Sequence, residues 1–190
     1  WARFTAFYKK HWLEYSLLIV ALVYGVIYFS WGTFHDKSFG FSDMYVHHQW
    51  IYQLSEGTPF SDGIYPEGMH CVIYALNALF GIKIYNCLLF VSLANVVMSL
   101  LAIYCLFKEI FRWRLSSVLA LMIFLTLGAV ANTAISTCMS RLQCALPQEF
   151  AFPEMFLCTL FLIRYLKSHR GTVIKGKKTK LYWNENLVVF

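Results

Sequence analysis

The chain has 190 residues, of which 59% are hydrophobic and 14% charged, and a formal net charge of +6. A soluble domain carries about 25% charged residues, and so much apolar surface leaves too little polar surface to coat a globule of this size, which argues against a water-soluble protein. The positive balance does not read as a nucleic-acid face either, because the basic residues cluster beside apolar runs, as Arg3/Lys9/Lys10, as Lys108/Arg112/Arg114 and within 167–180, where they orient membrane proteins.

Three runs, 15–34, 84–107 and 115–140, contain no Asp, Glu, Lys or Arg. Each reaches the roughly 20 residues that cross about 30 Å of hydrocarbon at about 1.5 Å per residue. The expected fold is therefore all-α, a polytopic membrane helix bundle. About four transmembrane helices, outer-face amphipathic and interfacial helices and the start of a fifth span are expected. The first basic cluster keeps residues 1–12 in the cytoplasm, so the first span, 13–31, runs outward. No small-x-small cleavage site follows it at Trp31-Gly32-Thr33, so it is not a removable signal.

Residues 32–83 then form an outer loop, acidic through Asp36, Asp43, Glu56, Asp62 and Glu67 against Lys37. Within it, 43–56 reads as an amphipathic helix capped by Ser42 or Asp43. Asp43, His47, Trp50, Ile51 and Leu54 recur at helical spacing and share one face. Trp50, Ile51 and Leu54 would rest on lipid or on other helices, leaving Asp43 and His47 together at the polar end of the stripe. The stretch 58–63 is turn chemistry. Residues 69–82 are apolar but too short to cross, which makes them an interfacial helix at the outer surface. That placement also keeps the second basic cluster and the basic tail inside.

The second span, 84–107, runs inward to a cytoplasmic turn at 108–114, and the third, 115–135, runs outward to an outer loop at 136–152. The fourth, 153–167, opens on Pro153 and Glu154, suited to a helix N-terminus, and would snorkel Arg164 and Lys167 to the inner face. Residues 168–180 form a basic cytoplasmic loop, and 181–190 turn apolar as a further span would. An opening at Trp1 and an apolar close lead us to expect a longer protein, placed in the plasma membrane if prokaryotic. Asn77 and Asn95 lie within apolar helices and should bond across to a neighbour. The six cysteines show no zinc-ligand spacing, and Cys138 and Cys144 share one outer loop where a disulfide is open to them.

An outward span, an outer loop with an acidic residue opening an amphipathic helix, the turn Tyr65-Pro66-Glu67-Gly68, an interfacial helix ending in Leu79-Phe80-Gly81 and a span closed by basic residues follow one another. This order over roughly 13–167 resembles the N-terminal half of the GT-C type membrane glycosyltransferases, among them protein mannosyltransferases and lipid A aminoarabinose transferases. Members often carry Pro-Pro at the turn, and here the second Pro is replaced. The resemblance implies transfer of a sugar from a polyprenyl-phosphate donor at the outer face. It also implies a first-loop carboxylate, here Asp43, as base or as ligand to a divalent metal. Attack on an anomeric carbon needs such a base, and the departing phosphate needs cations or N–H groups.

Arg141 is the phosphate-ligand candidate in the second outer loop, and His70 and Glu67 are further substrate contacts. Asp43 and His47, one turn apart, are the metal-ligand candidates. Plainer readings stand beside each: Asp43 as a helix cap, the histidines as interface or capping residues, Glu67 and Asp62 as solvated turn residues. Arg141, Gln143, Gln148 and Glu149 read equally as a hydrophilic loop, and the aromatics as interface anchors. Two other functions remain open, a non-catalytic membrane component of polysaccharide assembly or export, and a transporter. The transporter is disfavoured because no charged residue lies deep in the three clear spans.

Overall fold

The computed structural model describes residues 2–39, 43–58, 67–111, 113–130, 142 and 146–173. The elements are α1 (Ala2–Asp36), α2 (Asp43–Ser55), α3 (Gly68–Phe80), α4 (Ile84–Ile110), α5 (Arg114–Val130), α6 (Pro147–Phe150) and α7 (Phe152–Val173). The fold is an all-α bundle, and two helices are long and apolar enough to cross a membrane, Lys9–Asp36 within α1 and Ile84–Ile110. The rest of the third expected span, Arg141, Cys138, Cys144, Tyr65, Pro66 and residues 174–190 lie outside the described residues.

α4 is the central helix and packs on α1, α5 and α7. It runs antiparallel to α1: Glu14 meets Tyr104 and Lys108 at one end, and Phe34 meets Phe90 at the other, with ring centroids 5.9 Å apart. It runs parallel to α7. The Asn95 side chain donates to the Glu149 carbonyl at 2.7 Å just before α7, and Glu109 lies 2.9 Å from Arg164 and 2.8 Å from Lys167 near the other end. Leu18, Ala21 and Phe29 of α1, Val96, Leu100 and Ile103 of α4 and Val118, Leu121 and Leu125 of α5 form one continuous core. Gly25 allows the close approach, since a Cβ there would meet Leu100 Cδ1. The opposite face of α1 is exposed and apolar through Ile19, Val20, Val23, Ile27 and Trp31. A helix facing lipid needs such a surface, and a helix facing water avoids it.

A second core holds Phe39, α2, α3 and the first turns of α4, through Met44, Ile51, Met69, Ile73, Ile84, Cys87 and Leu88. This docks α2 and α3 on the N-terminal end of α4. The Tyr85 hydroxyl donates to the Lys37 carbonyl and ties the end of α1 into the same region.

Several boundaries differ from those expected. α1 begins at Ala2 because no Gly or Pro interrupts the sequence before Gly25, so the basic N-terminal segment continues the helix. α3 stops at Phe80, where Gly81 adopts φ 66° and its N–H closes on the Asn77 carbonyl at 2.9 Å. Asn77 therefore serves its own helix end, donating to the Ile82 carbonyl at 2.8 Å. Asn95 does reach across to a neighbour, as its sequence position suggests. Glu149 is buried rather than part of a hydrophilic loop face.

The larger departure is Glu14, which is 2% exposed between α1 and α4. A carboxylate among apolar helices needs partners. Tyr104 Oη donates to its Oε1 at 2.5 Å and Lys108 Nζ at 2.7 Å, while His11 Nδ1 lies 3.1 Å from Oε2. Lys108 also bonds Tyr104 Oη at 3.0 Å and sits over the Tyr15 and Tyr104 rings, 5.5 and 5.3 Å from their centroids. Lys108→Leu strands Glu14 and should lower stability by about 1–3 kcal/mol, less than for a fully buried pair because Lys108 reaches solvent. Adding Glu14→Gln should recover most of the loss, read as the unfolding midpoint of the detergent-solubilised protein.

Candidate functional site

Besides the Glu14 network, chemistry-bearing side chains of the described residues gather where α2 and α3 meet over the start of α4. The buried stripe of α2 is Met44, His47 and Ile51, spaced three and four residues apart. That of α3 is Met69, His70 and Ile73. Each histidine thus occupies a position that the helical period turns inward, and docking the two stripes brings the rings together. His47 Nδ1 and His70 Nε2 are 2.9 Å apart in a buried hydrogen bond. The rings are nearly parallel, at 25° with centroids 5.1 Å apart. Trp50 stands edge-on to both, at 4.9 and 5.9 Å.

Glu67 extends the chain by one member. It is the residue before α3, where a negative charge is favoured by the helix dipole. Its Oε2 lies 2.9 Å from His70 Nδ1, at ion-pair distance but without the alignment of a hydrogen bond. His70 is fully buried and the Glu67 side chain 11% exposed. A carboxylate beside His70 Nδ1 favours the tautomer with its hydrogen there. His70 Nε2 then accepts from His47 Nδ1.

Of the residues singled out in the sequence, His47, His70 and Glu67 come together. Asp43 is exposed at the first residue of α2, one turn before His47. Of the two ring nitrogens of His47, Nδ1 is engaged by His70. Among the described residues no three His, Cys, Asp or Glu side chains form a group able to hold an ion. Arg141 falls outside the described residues. Grouping His47 with Asp43 at a polar end missed the histidine pair, whose members are 23 residues apart on separate helices. The available signal was that His47 and His70 each sit between apolar residues of a buried stripe.

His48, next on α2, is half-buried against Phe39 and Tyr85, with centroids 6.1 and 6.3 Å away. Burial pushes its imidazole below the ordinary value of 6.5. Compared with known proteins, the chain matches no family model, and no similar curated protein and no similar solved structure is found.

His70→Leu removes the partner of His47 Nδ1 and should cost about 1–3 kcal/mol in thermal unfolding, whereas His70→Gln, which keeps a polar partner, should cost less. For His48 the folded state disfavours the proton, so the unfolded chain binds more protons as pH falls through 6.5. Stability should therefore decline on acidification from that point, and His48→Gln should flatten its share of the decline in an unfolding series across pH 5–7.

Proposed function

We propose that the protein is a multi-pass membrane glycosyltransferase that moves a sugar from a polyprenyl-phosphate donor to an acceptor hydroxyl at the outer face. The observation that carries this reading is the distribution of charge along α4, whose C-terminal end carries Glu14 and Glu109 only as partners of Lys108, Arg164 and Lys167. Asp43, His47, His70 and Glu67 lie by its N-terminal end. Lys108, Arg164 and Lys167 lie by its C-terminal end, and 27 residues of helix separate the two, about 40 Å. Basic residues mark the cytoplasmic side of a membrane protein, which leaves the end with Asp43, His47, Glu67 and His70 outside.

In this reading α1 and α4 span outward and inward, α5 and α7 are the third and fourth spans, and α2 and α3 lie at the outer surface. Asp43, exposed at the start of α2, is the base. It takes the proton of the acceptor hydroxyl as that oxygen forms a bond to the anomeric carbon. The bond from that carbon to the donor phosphate breaks, and polyprenyl phosphate leaves with the electron pair. A preorganised cation or N–H group is required for the departing phosphate, and Arg141 remains the candidate.

A second reading, a transporter, draws on one observation: Glu14, paired with Lys108 and Tyr104, is a buried ionisable group within a candidate span, where coupling ions are handled. Its place beside the basic end of the bundle suits a structural tie better.

Asp43→Asn should reduce glycan transfer by about a hundredfold or more, the share commonly due to a general base, with membrane insertion and expression unchanged. Transfer to acceptor by inverted and right-side-out vesicles checks it. Activity near wild type in a normally inserted Asp43→Asn protein removes Asp43 from the mechanism.

A further inference from the structure

A cavity of about 230 Å³ opens at the end of the bundle opposite the histidine pair, lined by Lys10, His11, Trp12, Leu13, Glu14, Trp113 and Leu115. The walls have two distinct chemistries. Trp12 and Trp113 are exposed large aromatics, 55% and 63% exposed, one on α1 and one in the turn between α4 and α5. Leu115 packs against the apolar core of the bundle, and Leu13 is exposed on the cavity wall. Indole rings of this kind settle where hydrocarbon meets headgroups. Lys10 supplies a charge beside them, and the sequence on both sides adds Lys9, Arg112 and Arg114.

Glu14 would oppose an anion if it stood alone. Its Oε1 takes bonds from Lys108 and Tyr104 and its Oε2 faces His11, so its charge is already met inside the bundle. What the cavity presents outward is therefore positive and aromatic. We propose that it binds the phosphate-bearing headgroup of an anionic phospholipid of the cytoplasmic leaflet. The phosphate lies against Lys10, the indoles of Trp12 and Trp113 flank the glycerol, and the acyl chains run along the apolar face of the bundle. This occupant is favoured over a soluble anion because Leu13, Leu115 and the two indoles would gain nothing from one, whereas acyl chains cover them. It rests on the reading of α1 and α4 as membrane spans with this end inside.

The experiment uses the full chain, purified in detergent doped with phosphatidylglycerol or phosphatidylcholine, with retained lipid counted by native mass spectrometry. Wild type should retain phosphatidylglycerol in preference, and Lys10→Gln should weaken retention about fivefold, the worth of one lysine near an anionic surface. Trp113→Leu should weaken retention of both lipids, while Lys83→Gln, at the other end, should change neither. Equal retention of the two lipids by wild type, or retention of phosphatidylglycerol unaltered by Lys10→Gln, overturns the proposal. Displacement of the lipid by glycerol phosphate at millimolar concentration overturns it too, in favour of a soluble anion. Resistance of the protein to alkaline extraction from membranes is measured alongside. Loss of that resistance would fail the membrane reading itself, whereas an inserted protein without lipid preference fails this site alone.

Discussion

Glu14 constrains the bundle more than any other residue. An ionised carboxylate between apolar helices is tolerated only where donors meet it at once, and those donors are two residues one turn apart on α4, Tyr104 and Lys108. Because both lie on the same face of α4, meeting them fixes the height of α1 against α4 as well as its rotation. The close contact of Gly25 with Leu100 then falls where a side chain would collide, and Phe34 reaches Phe90 at the far end. Apolar contacts alone would permit α1 to slide by a turn, since one leucine replaces another with little change in burial. The charge network removes that freedom.

Around this pair the other helices take positions that repeat the same division of labour. The long contact of α4 with α7 is polar at its two ends, Asn95 to the Glu149 carbonyl and Glu109 to Arg164 and Lys167, and apolar between. In a bundle that exposes apolar residues on its outer faces, hydrophobic burial discriminates weakly between helix partners, and directional bonds do more of the selecting. The bonds of Glu109 are largely exposed and individually weak, so they fix orientation more than they add stability.

Helix existence was legible in the sequence, and for the same reason that helix pairing was not. Long apolar runs state that a segment is helical but not how far it extends: α4 ends within three residues of its expected limit, whereas α1 runs from Ala2 to Asp36 and α7 to Val173, beyond 13–31 and 167. Gly81 and Gly57, both with positive φ, end α3 and follow α2 close to the expected boundaries. Partner choice depends on which single polar side chains meet across helices, and these have no period to detect. Glu14 lies just inside the expected first span, 13–31, one residue before the charge-free run, and no local pattern shows that it meets Tyr104 and Lys108. His47 and His70 were each visible as candidates, but their meeting depends on docking α2 against α3, which no local pattern encodes.

That docking links the packing to the chemistry of the site. α2 has 13 residues, about the length at which an isolated helix is marginal in water, and most of them, among them Tyr, Val, His and Trp, are weaker helix formers than Ala or Leu. Its position must therefore come from tertiary contacts. Met44 and Ile51 turn one stripe of the helix inward, and the His47–His70 bond holds the same orientation, because a buried imidazole turned away from its partner would lose its hydrogen bond inside the core. Asp43 lies one turn from His47 on the same rigid segment, so the bond that settles α2 also settles where an exposed carboxylate points. A buried polar pair of this kind contributes little net stability compared with well-packed apolar residues of the same volume. Its physical effect is to hold an otherwise adaptable helix in one orientation at the end of the bundle that carries the carboxylate.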